Sequence, residues 1–424
     1  MLKAVFHPYV LGLNAENHTQ KPEHWSSGAK AYDPERDYLV VNGRWRYDSG
    51  AWGWDGVFGG GSYSIIGLDS PLPLQSDRQF FFMPKHVSNT VSRLAFYGTA
   101  GIIAGGNNTS SSQIQRLFGL DESAVIEIHN QGDQAFYIDP NLNVFYVSVP
   151  FVGEGRVCLC NMVNGSGKVI LRSDNSRWIG RLEISGDSTR KATTELFFDD
   201  ELQLGADPAE FDAAALTVGD YGILGVEDGK AAVIDDVHRG VSFSGNVQIE
   251  TRPRSSLSIR TPTVFENCTI GKTNTGRLEL GGPGSGTAAV NIGAGTLAVS
   301  HGKALVDAAV TFSAGTALEI SAAKDCEPAL AQYGLLNTNV VAAADSLQVV
   351  VDNSMAKTVG CRGDVPLLTV LPVVAGTLAD KLVVSSLAKG MKVTLGQREV
   401  SVDGKKAVQF FATCEPKGFL VILE

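Results

Sequence analysis

Short runs of alternating apolar and polar residues recur along this chain, punctuated by Gly, Asn, Asp and Pro. SYSIIGL, RQFFFMP, RLAFYG, VIEIHN, QAFYID and NVFYVSVPF follow one another between residues 62 and 151. A period of two puts alternate side chains on one face, which predicts strands. The punctuation is too frequent for long helices. DYLVVNG, Asp37 to Gly43, predicts a further strand ending in an Asn-Gly turn, and the stretch before it is polar and irregular. One run reads differently: SSQIQRLFGL, Ser111 to Leu120, is expected to form a turn or two of helix.

From Gly153 onward the rhythm sharpens. Apolar pairs fall at Val169 and Leu171, then at Leu182 and Ile184. Between Gly276 and Ser321 the cores LEL, AVNI, TLAV, AVTF and ALEI repeat, spaced by turns of Gly, Ala and Ser. Strands this short cannot bury an apolar face alone, so each coil must stack on the next. The expected fold is all-β: a right-handed parallel β-helix, the hand following from strand twist. From about residue 331 the runs lengthen, and VSVDGKKAVQFF reads as a hairpin with Asp403-Gly404 in its turn. The expected organisation is an irregular segment 1–36, a β-helix over 37–330 with its clearest coils at 167–226 and 276–321, and an antiparallel β cap over 331–424. A cap is expected because an uncovered end leaves unpaired backbone groups.

Composition narrows the function. Of 424 residues 44% are hydrophobic, enough for a continuous core, and 19% are charged. The net charge is -10 with no basic block, which argues against nucleic acid and anionic membranes as partners. No apolar run reaches the roughly eighteen residues of a membrane-spanning helix. The start, MLKAVFHPYVLGLN, is a poor signal peptide because His7 and Pro8 break its apolar stretch, so an exported precursor already trimmed is expected. The six cysteines do not have zinc-site spacing, and no metal or cofactor is expected. Cys158 and Cys160 share one face of a strand and read as buried small hydrophobes. A disulfide between Cys326 and Cys361 fits a secreted chain.

The passage Gly276, Leu278, Leu280, Val290, Ile292, Gly295-Thr296-Leu297, Val299, Ala304-Leu305, Val310-Thr311-Phe312 and Leu318-Glu319-Ile320 resembles the autotransporter-associated (passenger-associated) β-strand repeat of bacterial surface proteins. A more worn copy starts at Gly167, carrying Asp174-Asn175, Trp178 and Gly180 where the family has Asn, an aromatic and Gly. HWSSGAKAYDPERDYLVVNGR near the start is also similar. The resemblance implies a β-helical passenger region, secreted or displayed on a bacterial surface. It implies no reaction. The chain departs from the family in showing no C-terminal transmembrane barrel pattern.

Candidate sites are few. Asp235, Asp236 and His238, beside Arg239, offer acid, base and clamp for a polysaccharide-cleaving enzyme, but neighbouring Asp residues on a strand face opposite ways. A solvated turn is the reading preferred for them, and no catalytic residue is expected. Trp45, Tyr47, Trp52 and Trp54 offer indole and phenol faces for sugar rings or a protein partner, or else cover the first coil. The expected role is non-catalytic: a structural, adhesive or self-assembling surface protein, with glycans, host or surface proteins, or its own copies as partners. The alternatives are a glycoside hydrolase or lyase on the same fold, and a glycan-binding viral tail fibre.

Overall fold

The computed structural model describes residues 17–18, 37–41, 45–46, 62–66, 80–82, 87–104, 114–161, 165–321, 328–336, 339–352, 363–387 and 391–416. Strand dominates them, and the chain forms two compact units: 1–210 with 214–224, and 211–213 with 225–424. The division falls inside the span expected to be one body.

In the first unit the chain visits three faces in turn. Val125–His129, Ala135–Asp139 and Val144–Ser148 lie on successive faces, and Phe151–Glu154 returns to the first, parallel to Val125–His129. Repetition builds a six-stranded parallel sheet from Asp37–Val41 to Arg177–Ile179 and two further parallel ladders. This is the pairing of parallel β-helical coils. Inward residues stack in columns: Phe136, Val157, Leu182 and Leu216 in one, Ile138, Leu159, Ile184 and Val218 in the next. All are buried. Each such side chain removed from water contributes about 1.5–3 kcal/mol.

Ser111–Leu120 is not helical where it is described. Ile114–Gly119 is a strand between Val87–Val91 and Val144–Ser148. Its period of two decides this: Gln115 and Leu117 are buried, Ile114 and Arg116 exposed. Cys158 and Cys160 are both buried on Arg156–Cys160, as expected.

In the second unit coils of about 20–25 residues alternate between two ladders, within the ordinary size of a stacked repeat. Leu257, Leu278, Leu297, Leu318 and Val349 form one inward column, and Ile259, Leu280, Val299, Ile320 and Val351 the other. Four of the five predicted cores, LEL, TLAV, AVTF and ALEI, are separate strands here. The Gly-rich passage before AVNI connects strands only over residues 281–283, since Gly284–Ile292 is one continuous strand. Its glycines serve close approach: a Cβ on Gly284 or Gly286 would stand 2.1 Å from the carbonyl oxygen of Ala304 or Phe265. Parallel stacking also continues past residue 330, through Leu347–Val351 to Leu382–Ser386. Longer connections, including the helix Pro372–Leu378, interrupt the rhythm there.

The C-terminal region carries the expected antiparallel sheet. Lys405–Pro416 lies between Gly363–Val370 and Met391–Val402. Asp403 and Gly404 turn the hairpin at φ 49 and 77, the left-handed conformations of a tight two-residue loop.

Candidate binding surface

The outward face of the six-stranded sheet carries an organised polar and aromatic cluster. Arg93–Tyr97 and Val125–His129 are adjacent parallel strands, with Arg93 beside Val125 and Tyr97 beside His129. Leu94, Phe96, Ile126 and Ile128 point inward and are buried, so Arg93, Tyr97, Glu127 and His129 face out. The Tyr97 and His129 rings stack 4.7 Å apart at 10°. Arg93 donates through Nε and Nη2 to the two Glu127 carboxylate oxygens, at 2.8 and 2.6 Å, and through Nη1 to Ser64 Oγ at 3.1 Å. His129 Nε2 lies 3.3 Å from Glu127 Oε2.

The two-pronged hydrogen bond from Arg93 holds the Glu127 carboxyl below its ordinary range, against the burial that would raise it. Glu127 hydrogen bonding in turn raises the Arg93 pKa. Tyr97 remains 37% exposed, so the platform is open. Glu154 and Ile179, one and two coils further, extend the column. Ile179 is 60% exposed.

Beneath the platform Phe136, Phe151 and Trp178 pack edge to face in the core. Trp178 Nε1 donates to the Gly155 carbonyl at 3.0 Å, and Asn175 joins three coils by accepting from Phe151 N–H and donating to Gln203 O. Gly180 passes so close to Gly155 that a Cβ would stand 1.8 Å from its carbonyl oxygen. The platform thus stands on a rigid base.

Two other clusters are more deeply buried. Glu279, 3% exposed, accepts from Ser258, Ser300, Arg260 and Arg277, and Arg277 also reaches Glu319 at 2.9 Å. Burial alone would raise the Glu279 pKa, but the hydrogen bonds from Arg260 and Arg277 outweigh it and bring it to about 2. Lys272 is buried with Nζ 2.6–2.8 Å from the carbonyls of Asn274, Gly276 and Ala294, and burial pushes its ammonium down to about 8. Both clusters satisfy themselves internally.

Of the aromatic candidates only Trp45 falls among the described residues, in the strand Trp45–Arg46 parallel to Phe80–Phe82. Its side chain, and Tyr47, Trp52 and Trp54, lie outside the described residues, as do Cys326 and Cys361. Asp235, Asp236 and His238 share a turn, not a strand. Asp236 Oδ1 accepts from the backbone N–H of His238 and Arg239, and Asp235 is exposed. Among the described residues no group of three or more His, Cys, Asp or Glu is placed to hold a metal, and no helix is long and apolar enough to cross a membrane.

Sequence reasoning read RLAFYG and VIEIHN only as strands. Alternation places Arg93 with Tyr97 and Glu127 with His129, each pair on one face, but the register between the strands comes from the fold. No protein-family model, curated protein or solved structure matches this chain.

Proposed function

We propose that this protein is a non-catalytic, extracellular β-helical protein of the bacterial surface that binds glycans through the outer face of its six-stranded sheet. The observation that carries this reading is the open Tyr97–His129 stack beside the Arg93–Glu127 pair. A stacked ring offers an apolar face to the C–H side of a sugar, and a fixed guanidinium–carboxylate pair offers donors and acceptors to its hydroxyls. Preorganisation keeps the ordering cost of binding low. The passenger-type repeat pattern from Gly276 to Ile320 supports bacterial display.

An enzyme needs a different arrangement. A glycosidase acid must hold its proton near neutral pH, which takes a carboxyl raised above its ordinary range. Glu127 and Glu279 are both held low by arginines, so neither is suited to be that acid.

A glycan array combined with light scattering on the purified chain tests the proposal. Expected are a monomer or open-ended polymer and neutral-glycan binding at about millimolar strength, weakened about tenfold in Tyr97→Ala and His129→Ala. Shortened glycans recovered from the array would replace adhesion with catalysis. A discrete trimer would favour a tail fibre.

A further inference from the structure

The third ladder of the first unit presents a second outward surface of different chemistry. Ile114–Gly119, Val144–Ser148 and Gly167–Leu171 run parallel, with Arg116 beside Tyr146 and Tyr146 beside Ile170. Arg172 continues the last strand, its N–H donating to Val147 O at 3.0 Å. The guanidinium carbons of Arg116 and Arg172 each stand 5.7 Å from the Tyr146 ring centre. One tyrosine is therefore flanked by two cations from the coils on either side of it.

We propose that this surface binds an acidic polysaccharide, with Arg116 and Arg172 taking its carboxylate or sulfate groups and Tyr146 lying under the sugar between them. Two like charges drawn to one ring repel each other, and the ring returns only about 0.5–1 kcal/mol per exposed cation. Asp199 offsets part of that repulsion from the Arg172 side, and an anion between the two guanidiniums offsets the rest. Arg172 Nη1 lies 3.3 Å from Asp199 Oδ2, and the other carboxylate oxygen of Asp199 accepts from Gln203 Nε2 at 2.8 Å. Lys168 sits nearby, paired with Glu195 at 2.8 Å. Arg116 is exposed.

Spacing selects a polymer over an isolated anion. A single exposed ion pair contributes at most about 1 kcal/mol, so useful affinity needs a repeated charge. Adjacent strands lie ~4.8 Å apart, close to the length of one sugar unit. A polysaccharide crossing from Arg116 over Tyr146 reaches Arg172 one strand on and two residues further along, so its path runs oblique to the strands, with the guanidiniums gripping carboxylate or sulfate groups.

The proposal does not rest on the Tyr97–His129 platform. The test is titration calorimetry of the full chain with an oligogalacturonate, a sulfated glycosaminoglycan oligosaccharide and a neutral galactan oligosaccharide, at low and high salt. At least one of the two acidic probes is expected to bind, more weakly as salt rises, and to lose about fivefold in Arg116→Gln and in Arg172→Gln. Tyr97→Ala is expected to leave that binding unchanged. Arg116→Gln acts at an exposed position, so it tests the site even if Arg172→Gln lowers stability. Equal binding of the neutral oligosaccharide that persists in Tyr97→Ala, or no effect of Arg116→Gln on the acidic probes, would overturn the proposal. Polyglutamate bound as tightly as the acidic saccharides would reassign the surface to a protein partner.

Discussion

Asn175 joins its neighbouring coils with one amide. Its Oδ1 accepts from the Phe151 N–H at 2.8 Å, and its Nδ2 donates to the Gln203 carbonyl at 2.6 Å, all out of reach of solvent. Asn175→Ala is expected to cost about 2–4 kcal/mol in denaturant unfolding, because two buried backbone groups lose their partners. Glu279 makes a prediction in acid. Its folded pKa of about 2 lies below the 4.5 of an unperturbed glutamate, so its stabilisation is complete above about pH 4.5 and is lost as pH falls toward 2. That difference is worth about 3 kcal/mol. Glu279→Gln should lower stability at neutral pH and flatten the decline between pH 4.5 and 2, as read from thermal midpoints. Neither role stands out in the sequence. Asn175 sits in a polar loop run and Glu279 in the middle of LEL, and only the stacking of coils tells what faces them.

Strands were the most legible elements. Alternation located RLAFYG, VIEIHN, LEL and ALEI because one face of each packs large apolar side chains into the core, and that face sets the pattern. It failed at Ser111 to Leu120, where Gln115 stands at an inward position and hides the period of two. At GGPGSG it was half right: Gly281-Gly282 connect two strands, but Gly284 and Gly286 let a strand lie against carbonyls. The hairpin from Met391 to Pro416 was readable from Asp403-Gly404, and it has a feature of its own. Phe411 lies across Gly396, where a Cβ would stand 2.4 Å from the ring, and Arg398 covers the same ring at 4.9 Å. Gly396→Val should displace the ring and cost about 1–3 kcal/mol, with loss of hydrogen-exchange protection concentrated in Lys405–Pro416.

The whole molecule was legible as parallel coils ending in antiparallel sheet, but not in its division. Both units use the same alternation and the same small residues, so nothing in the pattern marks residues 211–225 as a boundary. The outer surfaces were the least legible part, because a functional face needs residues brought together from successive coils, as His129 and Tyr97 are across 32 positions. At this scale net charge governs behaviour. The chain carries -10 at pH 7 and a pI near 5.3. Reversible association is expected to peak near pH 5.3, seen as scattering that rises while near-ultraviolet dichroism stays native. Unfolding through Glu279 would come at lower pH and remove the dichroism, so the two effects separate.

The buried thiols open a kinetic route into these units. Cys158 and Cys160 belong to the first, and Cys268 and Cys414 to the second. A thiol-specific reagent reaches a buried sulfur only when its surroundings open, so modification rate reports local opening directly. With Cys326 and Cys361 replaced by serine, mass spectrometry of pulse-labelled protein would give separate clocks for the two halves of the chain. Matching rates would mean that the halves open as one cooperative body, and diverging rates would show which yields first.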